Sequence, residues 1–333
     1  MVSAALSMLA CGGAPVAPDN PKSSAKQAAP LTRVTYSTRR RHSVQAGERL
    51  MLFDHVGFSF PSAVIFDPRR DVYWVSNANV DGPGHGGFIS RLDPEAIQTT
   101  LNFIDGQSPG VKLDTPHGLA VNGDVLFVAD VTAIRKFKAD SGEPLGSIEI
   151  PGSRYLSDVA FAADGTLYVS DVGSDPNVAA LPESAADAVY QVSPTGEVSV
   201  VARRPDLGGP YALVADEKGL WVTCAGTSEL LLLVPDAKGA PARDAGRLPL
   251  PGAAPRGIAR MPDGTLLISS WTGGVVYRGF HDGPFAPVVT GLESPADLGY
   301  DTKRERLLIP LFNGHALAVF ELSPMESSSG PAH

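Results

Sequence analysis

The sequence predicts an all-β chain folded as a six-bladed propeller with four antiparallel strands per blade, and three observations predict it. A phrase of the form Pro-x-x-apolar, or a close variant, recurs six times. Each copy leads into an apolar strand, a tight turn and a second strand. The copies stand about 40 to 55 residues apart, the spacing of propeller blades. Gly 35 and Pro 29 in 333 residues supply the turn formers, and 43% hydrophobic side chains suffice for a packed core.

Taken from the start of the chain, Met1–Gly13 is a short apolar stretch, a small residue, then Cys11 and two glycines. It resembles the end of a bacterial lipoprotein signal, in which the cysteine becomes the lipidated first residue of the mature protein. That resemblance implies an extracytoplasmic bacterial protein anchored to a membrane through Cys11, with residues 1–11 as the signal segment. Residues 12–45 are rich in Pro, Ala, Ser and Lys, cannot bury enough apolar surface to order themselves, and read as a linker. The propeller is expected over residues 46–323, and residues 324–333 as a disordered tail. Within it, Arg49–Phe53 is the expected donor of the strand that completes the last blade and hides both edges, with Arg33–Tyr36 as the other candidate.

The six phrases begin at Pro61, Pro116, Leu156, Pro210, Pro255 and Pro295. Their second strands are Val72–Asn77, Leu126–Asp130, Leu167–Asp171, Leu220–Cys224, Leu266–Trp271 and Leu307–Pro310. Between them lie Asn122-Gly123-Asp124, Asp164-Gly165, Lys218-Gly219 and Asp263-Gly264, where positive φ is easiest for Gly, Asn or Asp, so each unit reads as a hairpin. Third strands such as Ile134–Phe137 and Val189–Val192, and fourth strands such as Gly146–Ile150, fill the blades.

Lys+Arg 27 against Asp+Glu 36 give a formal charge of -9, which repels nucleic acid and anionic lipid surfaces. No run approaches the roughly 18 apolar residues needed to span a bilayer. Two cysteines, Cys11 and Cys224, exclude a disulfide-stapled scaffold and a multi-cysteine zinc site.

In an antiparallel hairpin the start of the first strand and the end of the second lie at one end. Ser62, His117, Asp158, Tyr211, Arg256 and Asp297 are therefore expected to ring the mouth of the central channel, with Asn77, Asp130, Asp171, Cys224, Trp271 and Phe312 nearby. A cation, carboxylates, an imidazole and aromatics suit a small polar organic ligand better than a bare metal. If the site is catalytic, Asp158 or Asp297 acts as general base and Arg256 stabilises an oxyanion; His117, Tyr211, Ser62, Asn77, Asp171 and Trp271 bind the ligand. In the blander reading Arg256 and Asp297 only neutralise each other. Cys224 and the tryptophans Trp74 and Trp221 are expected to pack. Gly106-Gln107-Ser108-Pro109-Gly110 fits G-x-S-x-G as a string, but the proline and the lack of a following helix deny it a nucleophile elbow.

The stretch Ala254–Val276, with the Pro295–Phe320 unit in agreement, resembles a blade of the senescence marker protein and gluconolactonase family over about residues 55 to 322. The resemblance implies a six-bladed propeller that hydrolyses sugar lactones at a divalent metal held by a Glu, an Asn and an Asp. Here Arg256 stands where the family has the Asp, Tyr211 where it has the Asn, and no acid lies around Pro61 and Ser62; only Asp158 falls at a family polar position. A guanidinium cannot coordinate a cation, so the lactonase metal mechanism does not carry over. The cofactor stays open, calcium or zinc being the divalent metals considered. A calcium loop beginning at Asn77 lacks its closing acid, since Phe88 stands there. A His-ligated metal at His85, His117 and His315, as the peptide-amidating lyases resemble having, is one alternative. The other is a non-catalytic scaffold that holds protein or glycan, resembling the NHL-repeat propellers.

Overall fold

The computed structural model describes residues 50–80, 86–95, 99–173, 187–235 and 242–322. The strands run in chain order from β1 (Leu50–Phe53). The first blade holds β2 (Pro61–Asp67), β3 (Val72–Asn77), β4 (Phe88–Leu92) and β5 (Thr99–Asp105). The second holds β6 (Pro116–Asn122), β7 (Val125–Asp130), β8 (Ala133–Lys138) and β9 (Pro144–Glu149). The third follows with β10 (Leu156–Phe161), β11 (Leu167–Asp171), β12 (Ala188–Val192) and β13 (Val198–Arg203). In the fourth are β14 (Pro210–Asp216), β15 (Gly219–Cys224), β16 (Glu229–Val234) and β17 (Arg243–Pro249). The fifth comprises β18 (Pro255–Arg260), β19 (Leu266–Ser270), β20 (Val275–Gly279) and β21 (Phe285–Thr290). The sixth has β22 (Gly299–Asp301), β23 (Arg306–Leu311) and β24 (Ala316–Glu321). Its outermost strand is β1, paired antiparallel with β24 from Leu50↔Phe320 to Phe53↔Leu317. The expected donor strand is thus the one used.

Each sheet is a plain antiparallel meander, and the inner strands touch in the order β2, β6, β10, β14, β18, β22 and back to β2, so the ring is closed. Alternation in the strands places apolar side chains on both faces of each blade, and one apolar cluster fills each junction. Trp74, Leu119 and Phe137 join the first blade to the second, and Tyr211, Trp221 and Ile258 the fourth to the fifth. Phe53, Tyr73 and Leu317 seal the sixth against the first. Trp74 and Trp221 pack as expected.

One inner strand departs from expectation. The unit beginning at Pro295 enters β22 only at Gly299. Its first residues bond on both sides: Pro295 bridges Leu311 and the Ala296 N–H donates to Pro310 O at 2.9 Å within the sixth blade, while the Asp297 N–H donates to Ser62 O at 3.0 Å and Ala63 bridges Asp297 in parallel. The sixth inner strand is thereby drawn against the first blade, which matters for the channel.

Candidate functional site

Five inner strands carry one residue more than their partner just after their first residue, a bulge placed at Pro61, Pro116, Leu156, Pro210 and Pro255. Two successive positions follow each leading residue. The first forms an outer ring of Ser62, His117, Ser157, Tyr211, Arg256 and Ala296. The second forms an inner ring of Ala63, Gly118, Asp158, Ala212, Gly257 and Asp297. Asp158 and Asp297, expected beside His117 and Arg256, therefore belong one residue further on; Ser157 and Ala296 take the places given to them.

The inner ring reads Ala-Gly-Asp twice around six blades, so its two acids stand on opposite blades and its other members are small. Inner strands face the axis with an edge of N–H groups that need acceptors. Asp158 accepts from the Val159 and Leu213 N–H groups, each at 2.7 Å. Asp297 accepts from those of Ile258 and Leu298, and the two carboxyls hydrogen-bond to each other across the channel. That bond requires a proton. Burial raises both groups above the ordinary carboxylate range, and the Asp158 charge raises Asp297 further, so the pair holds a shared proton.

In the outer ring the Ser62 hydroxyl lies 2.7 Å from His117 Nδ1, and His117 Nε2 lies 2.6 Å from the Tyr155 hydroxyl, all three side chains buried. Burial, then the nearby Arg256 charge, pushes the imidazole down to about 3, so it is neutral. Arg256 is flanked by aromatics: its Cζ lies 4.3 Å from the Tyr211 ring centroid and 4.9 Å from that of Trp271. Trp271 continues into Phe312 at 5.3 Å, Phe312 into Phe60 at 5.1 Å, and Phe60 into His315 at 4.4 Å. Among the described residues Arg256 forms no ion pair, with Asp297 or any other acid, so mutual neutralisation is not what occupies it. Arg256 Nε and Ser157 Oγ are buried without a hydrogen-bond partner.

Other expected site residues are turned back into their blades. Asn77 accepts the Ser59 N–H and donates to Ser90 Oγ. Asp130 accepts from Asp114, Thr115 and Arg135. Asp171 accepts the N–H groups of Arg154, Tyr155 and Gly173. The residue ending the second strand thus braces the loop that leads into the first, and Asn77 and Asp171, expected to bind the ligand, make these bonds within their own blades. Asp171→Ala should lower the unfolding free energy by about 1–3 kcal/mol in urea titrations, with Asp171→Asn losing less, because Ala leaves three amides without an acceptor. Cys224 is buried and its thiol pushed up to about 12 by that burial, an inert packing residue.

His315 Nδ1 accepts the Phe60 N–H at 3.2 Å, and both His117 nitrogens are engaged as above. His85 and Cys11 lie outside the described residues. Among the described residues no three His, Cys, Asp or Glu side chains are grouped to hold a metal ion. Sequence reasoning missed Tyr155 and Ser157. Only strict alignment of the leading residues could have found Ser157, and no local signal marked Tyr155 as the partner of His117.

No protein-family model and no curated protein sequence matches the chain. Solved structures do. A gluconolactonase from Xanthomonas campestris superposes with a TM-score of 0.65 at 19% identity, covering 90% of this chain and 99% of that one. Virginiamycin B lyase from Staphylococcus aureus gives 0.55 at 13% identity, covering 83% and 99%. An auxiliary nutrient binding protein from Bacteroides thetaiotaomicron gives 0.56 at 10% identity, covering 79% and 69%. The chain is a six-bladed propeller similar at low identity to gluconolactonase structures, which bears out the resemblance in its fold. Relatives of this shape include enzymes and a binding protein, so the site has to carry the functional argument.

Proposed function

We propose that this propeller binds a small polar, sugar-like molecule at the channel mouth, with Arg256 as its anchor. One observation supports this above the others: a half-buried guanidinium is held between Tyr211 and Trp271 with its Nε left unpartnered. A buried donor without an acceptor costs free energy unless something supplies one. Ser62 and Tyr211 line the same ring and offer hydroxyl groups for orientation, and His117 braces Ser62. Titrating sugars, sugar lactones and sugar acids against tryptophan fluorescence should give a saturable signal that Arg256→Ala removes while the melting temperature holds. No saturable signal with any of them would overturn the reading.

A second reading is favoured by the proton-sharing pair. Asp158 and Asp297 are two carboxyls within reach of one another, both raised above the ordinary carboxylate range, the kind of pair a general acid and base require for opening a lactone or ester. Turnover in a lactone and ester screen, lost in Asp158→Asn, would establish it; binding without turnover would leave a binding protein. The small residue, Cys11 and two glycines near the start support an extracytoplasmic location with a lipid anchor. The described residues include no helix long and apolar enough to cross a membrane.

A further inference from the structure

Guanidinium groups elsewhere in this protein meet carboxylates in several places, although Arg91 lies over Trp74 and Phe103 instead. Arg70 pairs with Asp67, Arg278 with Asp263, and Arg304 with Asp71 and Asp301. Among the described residues Arg256 meets aromatic rings and no carboxylate partner, and an aromatic face satisfies the charge without accepting the in-plane N–H bonds of the fork. The two acids of the inner ring, Asp158 and Asp297, are spent on backbone N–H groups and on each other. Four buried side-chain atoms lack partners among the described residues, those of Thr99, Ser157, Arg256 and Arg306, and two of the four fall in one six-membered ring. Ser157 is 3% exposed. A planar fork with free edge donors fits a carboxylate, and a lone hydroxyl fits a hydroxyl.

Resting on the reading of the mouth as a ligand site, we infer that its ligand is a hydroxy monocarboxylate, the carboxylate on the edge of Arg256 and a hydroxyl on Ser157. Charge favours a single negative group. The Arg256 guanidinium brings one positive charge to the mouth, with no carboxylate paired to it among the described residues. A monoanion matches that one charge, whereas a phosphate dianion adds a second in a poorly solvated place. The neutral His117 neither helps nor opposes it.

Calorimetric titration of the purified full chain with gluconate, gluconamide, D-glucose and inorganic phosphate tests this. Gluconate should bind about ten- to a hundredfold more tightly than gluconamide or D-glucose, the range of a charged hydrogen-bonded contact. Arg256→Ala should abolish the preference for the acid, Arg256→Lys should keep part of it, and Ser157→Ala should weaken gluconate about tenfold without moving the preference for acid over amide. Melting curves confirm that each variant folds. Gluconamide or D-glucose binding as tightly as gluconate would overturn the carboxylate assignment while leaving the mouth as a ligand site. Phosphate binding more tightly than gluconate would overturn the monoanion. Failure of all four probes would overturn the assignment, and the screen of lactones and other sugars then decides whether the site itself survives.

Discussion

Gly118→Ala is expected to destabilise this protein by well over the roughly 1–3 kcal/mol of an ordinary overpacked site, enough to remove much of a typical domain's margin. A Cβ on Gly118 would lie 2.4 Å from the Asp158 Cα and 2.2 Å from Asp158 Oδ1. The first of these atoms is backbone and cannot rotate away. Asp158→Ala in the same chain should therefore fail to rescue it, whereas a clash with the carboxylate alone would be relieved. Gly246→Ala, where a Cβ meets nothing within 4 Å, is the control and should leave stability nearly unchanged. Urea melts of the three variants decide the matter, and a Gly118→Ala protein as stable as the control would mean that the second and third blades are not packed this closely.

The second large effect is a stability that falls as pH rises. Burial raises Asp158 from the ordinary 3.8 to about 7, and Asp297 moves in the same direction. Between those values the folded pair retains a proton that the unfolded chain has released. The native state then binds more protons, so the unfolding free energy declines with pH by about 1.4 kcal/mol per unit for one proton. The contribution is complete below the ordinary aspartate range and is lost as pH rises through the raised values of the pair. Most proteins lose stability in acid because paired carboxylates must be protonated; this pair acts the other way. Asp297→Asn supplies a permanent amide donor to the Asp158 carboxylate without needing a proton. Its melting temperature should exceed that of the wild type at about pH 8 and vary less with pH. Parallel pH profiles for the two proteins would show that no proton is shared.

Much of the fold was legible because it is written in turns and repeats. The leading prolines, the Asn-Gly and Asp-Gly turns and the alternating strands each act locally, and the closing strand followed from a last unit short of one partner. The site was legible only in part, and the bulges are why. One added residue after each leading residue separates two rings, so a reading that took Asp158 and Asp297 as equivalent to His117 and Arg256 set them in the wrong ring. The repeated Ala-Gly-Asp order, visible once the six phrases are aligned strictly, would have placed the acids on opposite blades. Asn77 and Asp171 add a second reason: a polar residue ending a strand near a channel can serve the backbone of its own blade as readily as a ligand, and the sequence alone does not show the hydrogen-bond geometry.

The pairing of Leu50 with Phe320 has a consequence for synthesis. Among the described residues the earliest strand to leave the ribosome must wait for the latest, so the seam stays open and its exposed edges invite misassembly until Ala316–Glu321 has been made. Moving Leu50–Phe53 to follow Glu321 by circular permutation would make that pairing local, and such a chain should refold faster than its parent at similar final stability.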